Sequence, residues 1–590
     1  MMSKRRLFGA LLSLVMVVSA CNAESGGEGD PVATPRSATT VAATVPSATS
    51  TVPPPTTTVA QVPTESLPGV DRILSGSESF PDGFEIPAGE VWAFDPTFTT
   101  MIESGGNVVV RGTLVMKPTD DTVDHTLRFV GIVESGFQGG GHDPLPTDVG
   151  MWVVDDGALD LVGEEKPAWD YLWHDEWAGD EVVAAPNTPG DYATFATVAG
   201  PADVPKPNEL GFATELLNLT RNVHIEGTAE GRTHVFIHST QPQTIRYVAI
   251  RYVGPDFGVE VRGNRAQGGT QRNVGSDVTG RYGLHFHRGE DGSRGSIVEG
   301  VVVRDADNHA FVPHNSNGIT FRDTIAFNTQ EEAYWWDPAL KGAPTNASDD
   351  VLYDHVIAAG VTVNGTGSAF ALSDGDGNVI VDSVAVGVSG RGSSMSGYHW
   401  PGTEKAVWDF VDNVAHNNSV YGIRVWQNTS DAHLITDFLG YHNGVAGIAH
   451  GAYTNSYTYR DLTLLANGER EGADVAIEAN AVGRPSRDGT VDLQQWTGIE
   501  TGGAEIVLGR HAASAQAPVR FVECDFSRVI VQEGPNNFSR WDFIDCGLEP
   551  DDFEIRNMND RSTLRVQNGD EAWELMPDGS VVEIEPFYAG

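Results

Sequence analysis

Short runs of alternating apolar and polar residues, separated by polar turns, recur along most of the chain from about residue 70. The pattern is clearest between residues 281 and 337, where a segment carrying histidine is followed by a second apolar run, and the pair then repeats. On this register His287 and His314 are 27 residues apart, and Asp337 follows His314 by 23. A repeat of about 20 to 30 residues built of short strands is typical of a solenoid. The pattern predicts an all-β fold, a right-handed, single-stranded parallel β-helix.

The alternation also predicts which side chains face outward, since successive residues of a strand point to opposite faces. If Leu284 and Phe286 face the core, His285 and His287 face away from it. Neighbouring coils stack about 4.8 Å apart, so outward residues at equivalent positions should form a column along one wall. That predicted column comprises His238, His287, His314 and Asp337.

Three imidazoles and a carboxylate in register are a plausible set of metal ligands, because rings on adjacent coils can approach within coordination distance of one ion. We therefore predict a divalent metal, zinc or a similar ion, held by His238, His287, His314 and Asp337. His285 is expected to support a ligand or to contact substrate. In the alternative without a metal, the same groups act as general acid and base, with Asp337 polarising His314.

The two ends of the chain differ from its centre in composition. Residues 1–20 have a basic start and an apolar stretch typical of an export signal, and Val18-Ser19-Ala20-Cys21 has the form of a bacterial lipobox with Cys21 as the lipid-modified residue. Residues 21–67 are rich in Thr, Pro and Ser and predict a disordered stalk. Residues 561–590 predict a C-terminal hairpin cap. The protein is therefore expected to be exported and anchored by lipid to the outer face of the cell membrane.

The charge is strongly negative, at −44 from 81 acidic and 37 basic residues. Such a surface should repel nucleic acid, so no nucleic-acid partner is expected. The segment from Arg221 to Gln330 is an exception, with 12 arginines, no lysine and 11 acidic residues. The histidine column thus lies in a part of the chain that tolerates an anionic ligand. Two cysteines one coil apart, Cys524 and Cys546, can be read equally as a disulfide or as stacked thiols.

Several motifs resemble one known family. IPAGEVWAFD, VVVRGTLVM and WVVDDGALDLVG, between residues 86 and 163, resemble the G8 domain, although the insert Phe137–Asp148 departs from it. GRYGLHFHRGED resembles the GRYPIHFH motif of the family that includes cell migration-inducing hyaluronan-binding protein and transmembrane protein 2. HNSNG and YWWD resemble later motifs of the same family. The resemblance implies a G8-like β domain over residues 68–200, followed by the β-helix over residues 201–560.

The resemblance implies that the protein binds or acts on hyaluronan or a similar extracellular polysaccharide. Cleavage by hydrolysis would use two carboxyl groups such as Asp337 and Asp374, whereas elimination would use a metal or arginine with a histidine base. A non-catalytic glycan-binding or adhesion protein is the alternative. The expected catalytic residues are His285, His287, His314, Asp337 and Arg281. The expected substrate contacts are Arg288, Trp335, Asp374 and Trp426.

Overall fold

The chain forms an all-β parallel β-helix, as the sequence predicts. The computed structural model describes residues 68–256, 278–336, 347–364, 367–372, 374–400, 407–425, 433–451, 457–480, 494–510, 518–534 and 538–588. The coils contribute strands to three parallel ladders, of which the second is confined to the coils before Val519. The handedness of the helix stays a prediction.

The first ladder runs nearly the whole length of the solenoid in parallel pairing. Its strands are Arg72–Leu74, Val91–Phe94, Thr113–Met116, Ala158–Val162, Thr244–Arg246, Ile297–Glu299, Thr320–Arg322, Leu352–Asp354, Asn378–Val381, Trp408–Val411, His433–Thr436, Tyr457–Leu465, Gln494–Glu500, Val519–Val522, Arg540–Ile544 and Thr563–Asn568.

The second ladder lies around a corner from the first. Its strands are Ser77–Phe80, Thr100–Ser104, His125–Phe129, Val223–Glu226, Ala249–Val253, Val302–Ala306, Ile325–Gln330, Ile357–Asn364, Val384–Val386, Val414–His416 and Leu439–Tyr441, and Ser389–Arg391 pairs with the end of Ile357–Asn364.

The third ladder carries the histidines, and we call it the site ladder. Its strands are Phe84–Ile86, Val108–Val110, Met151–Asp155, Val235–Ser239, Leu284–Glu290, Phe311–Ser316, Ser368–Ala371, Ser396–Trp400, Tyr421–Val425, Ala446–His450, Val475–Ala479, Glu505–Leu508, Arg528–Gln532 and Phe553–Asn557. Tyr334 pairs with Phe311 on one side and Phe370 on the other, which joins the two halves of this ladder.

The corner between the first and second ladders explains much of the turn chemistry. One residue there adopts a positive φ in coil after coil, which lets the strand turn sharply without extra length. Asp323, Asp382, Asp412 and Asp437 hold this position with φ between 48° and 55°. Asp tolerates the left-handed region because its short polar side chain can bond locally. The positive φ is thus the recurring feature of this corner, since Tyr247 and His355 adopt it at the equivalent position with φ of 55° and 52°.

An antiparallel sheet within residues 169–218 interrupts the coils and packs on the outer side of the second ladder. We call this segment the excursion. Its strands are Trp169–Asp170, Leu216–Asn218, Val182–Ala184 and Ala196–Thr197. Trp169 and Leu217 pack against Ile325 and Ile357 of the second ladder. Strands from the predicted G8-like domain pair directly with strands of the predicted β-helix, for example Thr126 beside His224. The division predicted at residue 200 therefore has no counterpart in the strand pairing.

A buried asparagine ladder supports the second half of the solenoid. Asn418, Asn443 and Asn467 are each 1% exposed or less. The Asn418 side-chain amide donates to Asn443 Oδ1 at 3.0 Å, and that of Asn443 donates to Asn467 Oδ1 at 2.9 Å. Asparagines recur in the sequence at 417, 443 and 467, spaced 26 and 24 residues apart, which predicts Asn417 for the first position. Asn417 instead has φ +50° and donates to the carbonyls of Thr188 and Asp191, in the segment that carries the antiparallel sheet.

The solenoid ends in an antiparallel hairpin, where Glu571–Leu575 pairs with both Thr563–Asn568 and Val581–Glu583. Cys524 and Cys546 are unbonded thiols on adjacent coils. The helices described are single 3₁₀ turns at Glu134–Gly136, Asp175–Trp177, Asp291–Ser293, Glu469–Glu471 and Pro550–Asp552. None of the helices in the described part of the chain has the length and apolarity needed to cross a membrane.

Candidate metal centre

The strand register brings histidines from distant parts of the chain side by side. His287 lies directly beside His314 in the pairing of Leu284–Glu290 with Phe311–Ser316. On the other side, Ile237 pairs with Phe286, which sets His238 next to His287. Leu284 and Phe286 belong to the apolar core, so the predicted inward and outward faces of this strand are confirmed.

Three of these imidazoles form a compact group. One ring nitrogen each from His285, His287 and His314 lies within 4.8 Å of the others, which is close enough for all three to hold one metal ion. The side chains are 0%, 8% and 4% exposed. We call these three residues the histidine cluster. His285 is thus a member of the group, although the sequence suggested only a supporting role for it.

The hydrogen bonds of the cluster fit a metal ligand set. His285 Nδ1 lies 2.9 Å from the carbonyl oxygen of Gly280 and must donate its proton there, which leaves a lone pair on Nε2. That Nε2 lies 3.3 Å from His287 Nδ1. Two nitrogens about 2.05 Å from a tetrahedral ion lie about 3.3 Å apart. The tautomer and the spacing of this pair are therefore those of two ligands on one ion.

His238, which the sequence suggested as a ligand, lies beside the cluster, and its part in metal binding stays a prediction. Its Nδ1 donates to the backbone carbonyl of His287 at 2.8 Å. This bond ties two coils together at the edge of the cluster. His238 is outside the group of three whose ring nitrogens converge.

A fourth imidazole, His142, covers the cluster from outside. It comes from the insert Phe137–Asp148, and its Nδ1 lies 2.7 Å from His287 Nε2. Its ring centroid lies 5.3 Å from that of His238. His142 is exposed to solvent, whereas the cluster beneath it is buried. The insert was the signal for this residue, because it departs from the G8 pattern and carries a histidine.

A buried ion pair fixes the insert on the site ladder. Arg281 Nε donates to Asp148 Oδ2 at 2.9 Å, and both side chains are 0% exposed. Burial alone would raise the pKa of Asp148, but hydrogen bonds from Gln138, Thr147 and Gly139 and the charge of Arg281 lower it overall. Arg281 is thereby committed to the scaffold. The catalytic role expected for Arg281 stays a prediction.

The cluster keeps its central ring neutral. Burial lowers the pKa of His287, and the neighbouring His285, His314, His142 and His238 lower it further. Burial and His238 also lower the pKa of His142, as does Arg288. Since only a neutral imidazole has a lone pair to give to a metal, the surroundings of His287 favour the ligand form.

Other expected substrate contacts have mixed outcomes. Trp335 is 3% exposed and stacks on His309 with ring centroids 3.7 Å apart, so it packs beside the cluster, and its expected contact with substrate stays a prediction. Arg288 is exposed immediately after His287. Asp374 is half-buried after the strand Ser368–Ala371. Asp337, Trp426 and the predicted lipidation site Cys21 lie outside the described residues.

Fold and site together define an all-β solenoid with a histidine cluster able to hold a metal ion on one wall. Searches against protein-family models and against curated proteins find no match.

Proposed function

We propose that the protein is a lipid-anchored, extracytoplasmic enzyme that cleaves an anionic, hyaluronan-like polysaccharide with a divalent metal held by the histidine cluster. The observation that carries the proposal is the convergence of the ring nitrogens of His285, His287 and His314 within 4.8 Å. The export signal, lipobox and stalk support an extracellular substrate, and the motif resemblance supports a glycan.

The donor set favours zinc or a similar transition metal, because imidazole suits these ions better than calcium or magnesium. A metal bound here supplies Lewis-acid polarisation of a substrate oxygen or of water. If His287 Nδ1 held a metal, His287 Nε2 would carry the ring proton and would donate a hydrogen bond to His142 Nδ1, 2.7 Å away. His142, as the exposed member of the pair, exchanges protons with substrate or solvent.

The surroundings favour an acidic polymer. Arg288 is exposed next to His287 and offers a cation to a uronate carboxylate. The site ladder continues beyond the histidine cluster along the axis of the solenoid. There His399 and Arg424 lie side by side on adjacent coils, both on the face of the strand that points away from the core. An extended ligand can lie along such a wall and contact several coils, which suits a polysaccharide better than a small molecule.

The burial of the cluster favours one other function. Three ligands that are at most 8% exposed also suit an ion that only stabilises the coil stack. In that case the protein is a non-catalytic glycan-binding or adhesion protein.

One experiment separates these functions. The full chain is purified, its metal content is measured, and it is incubated with hyaluronan and with a neutral glycan before the polymer length is analysed by size-exclusion chromatography. We expect about one transition-metal ion per chain and shortening of the acidic polymer, both lost in His314→Ala and retained in the control His174→Ala. Metal and glycan binding without shortening would support the adhesion protein. Equal metal content in wild type and His314→Ala would refute the site.

A further inference from the structure

A lysine, an aspartate and an asparagine meet at the base of the excursion. Lys166 lies just before its first strand, Asp180 lies between its first two strands, and Asn218 ends its last strand. The sheet brings these segments together, because Asn218 pairs with Val182 and its backbone N–H donates to the carbonyl of Ala168 at 2.8 Å. Residues far apart in the chain are thus neighbours here.

Asp180 bridges the other two side chains. Its Oδ2 accepts from Lys166 Nζ at 3.0 Å and from Asn218 Nδ2 at 2.8 Å. Lys166 Nζ also lies 3.2 Å from Glu164 Oε2. The amine of the lysine and the carboxamide of the asparagine are therefore held together on one carboxylate oxygen.

These three side chains are largely screened from water. Lys166, Asp180 and Asn218 are 9%, 12% and 0% exposed. Trp177, which is also fully buried, donates from its indole to the carbonyl of Pro167 at 3.1 Å and so covers the chain next to Lys166. Burial limits competition from water at the carboxamide carbon. The fixed contacts also remove much of the entropy cost of bringing the amine to that carbon.

The carboxamide oxygen of Asn218 is polarised from its other side. Its Oδ1 accepts from the backbone N–H of Thr220 at 3.0 Å. Arg221 is buried and fixes this turn, because its Nη1 donates to the carbonyls of Asn218 at 3.3 Å and of Thr220 at 2.6 Å. A backbone N–H aimed at such an oxygen stabilises the negative charge that develops when a nucleophile adds to the carbon.

We propose that Lys166 and Asn218 become joined by an amide bond, and that Asp180 promotes the reaction. Asp180 takes one proton from the ammonium group of Lys166, and the freed lone pair of Nζ forms a bond to Cγ of Asn218. The bond from Cγ to Nδ2 then breaks, and Nδ2 leaves as ammonium with the two protons that Nζ has lost. Nζ keeps one proton as the new amide N–H, and Asp180 returns to its carboxylate form.

The cross-link closes the excursion into a covalent loop at its base. It restricts the unfolded chain in the same way as a disulfide that closes a loop. The proposal does not depend on the proposed polysaccharide cleavage, because the cross-link shares no residue with the histidine cluster.

Peptide mapping of the purified full chain tests the cross-link. Cleavage after glutamate places Lys166 in residues 166–176 and Asn218 in residues 216–226. We expect tandem mass spectrometry to find these two peptides joined, with their combined mass lowered by one ammonia. Separate peptides of unmodified mass would overturn the proposal. A loss of ammonia confined to residues 216–226 would also overturn it, because that result identifies a cyclised asparagine.

Two variants test the roles of the side chains. Lys166→Arg keeps the positive charge but has no amine that can lose a proton, so the joined peptides should be absent. Asp180→Asn keeps the shape but removes the proton acceptor, so their yield should fall at least tenfold. The control Lys117→Arg, at a lysine in a partly exposed pair with Asp160, should retain the full yield. An undiminished yield in Asp180→Asn would refute the role of Asp180.

Discussion

His142 and His287 are 145 residues apart in the chain, yet Nδ1 of one lies 2.7 Å from Nε2 of the other. The contact depends on how the insert Phe137–Asp148 is held against the site ladder. The Arg281–Asp148 ion pair provides that attachment, because Arg281 also donates to the carbonyl of Gly140 at 2.7 Å. Scaffold and candidate metal centre are therefore coupled through one buried pair.

Replacing Arg281 with Met should destabilise the fold by about 3–5 kcal/mol, since Asp148 is then left as a buried, uncompensated charge. The double variant Arg281→Met/Asp148→Leu should recover part of this loss. Urea unfolding measures both effects. The control is Arg111→Met, which breaks partly exposed pairs with Glu85 and Asp155 and should cost about 1 kcal/mol or less. Equal losses for Arg281→Met and Arg111→Met would show that the buried pair is not a structural anchor.

The composition of the ligand set leads to a second prediction. His285 supplies a converging ring nitrogen, whereas His238 lies outside the group of three whose ring nitrogens converge. His285→Ala should therefore lower the affinity for zinc at least a hundredfold, and His238→Ala should lower it tenfold or less, within the range of a supporting residue. Competition with a chromophoric chelator measures both affinities. A larger effect for His238→Ala would restore the ligand set first expected from the sequence.

The asparagine ladder gives a third prediction. Asn443 is fully buried, and its side-chain amide donates both to Asn467 Oδ1 and to the carbonyl of Ala415, each at 2.9 Å. Asn443→Ala removes these bonds and leaves buried groups unpaired, so it should cost about 2–4 kcal/mol. Asn417→Ala removes two bonds to the excursion and leaves the ladder intact. Hydrogen exchange should show lost protection in neighbouring coils for Asn443→Ala and near residues 188–191 for Asn417→Ala.

The sequence was sufficient for the fold class and for the register of the central coils. Strand alternation and a nearly constant coil length are local properties, and together they correctly set His287 beside His314. They also set His285 outward, but they do not tell how far its ring reaches along the wall. The ladder position of Asn418 was missed by one residue, because spacings of 26 and 24 do not distinguish it from Asn417, whose φ of +50° turns it outward.

The contacts that complete the site could not be read from periodicity. His142 and Asp148 belong to an insert outside the repeat, so no rule of coil spacing relates them to His287 or Arg281. Arg281 looked available for substrate because arginine near histidine is typical of anion recognition. Its complete burial follows from the way the insert folds back over Trp152, whose ring lies 4.4 Å from the Arg281 guanidinium carbon. Such long-range contacts depend on tertiary packing.

The pH dependence of stability gives the last prediction. His450 is fully buried, its Nδ1 lies 2.7 Å from the hydroxyl of Tyr459, and burial, together with His433, lowers its pKa to about 3. The unfolded chain has the ordinary histidine pKa near 6.5 and so binds the proton more readily. Stability contributed by neutral His450 is therefore complete above pH 6.5 and falls as the pH drops towards 3. At pH 5 the loss is roughly 2 kcal/mol relative to pH 8.

In His450→Gln, which is less stable at neutral pH, urea midpoints should fall less steeply between pH 8 and pH 5 than in wild type. The control His174→Gln, at a partly exposed residue, should retain the wild-type slope. Identical slopes for all three proteins would show that His450 is not among the groups that link folding to pH.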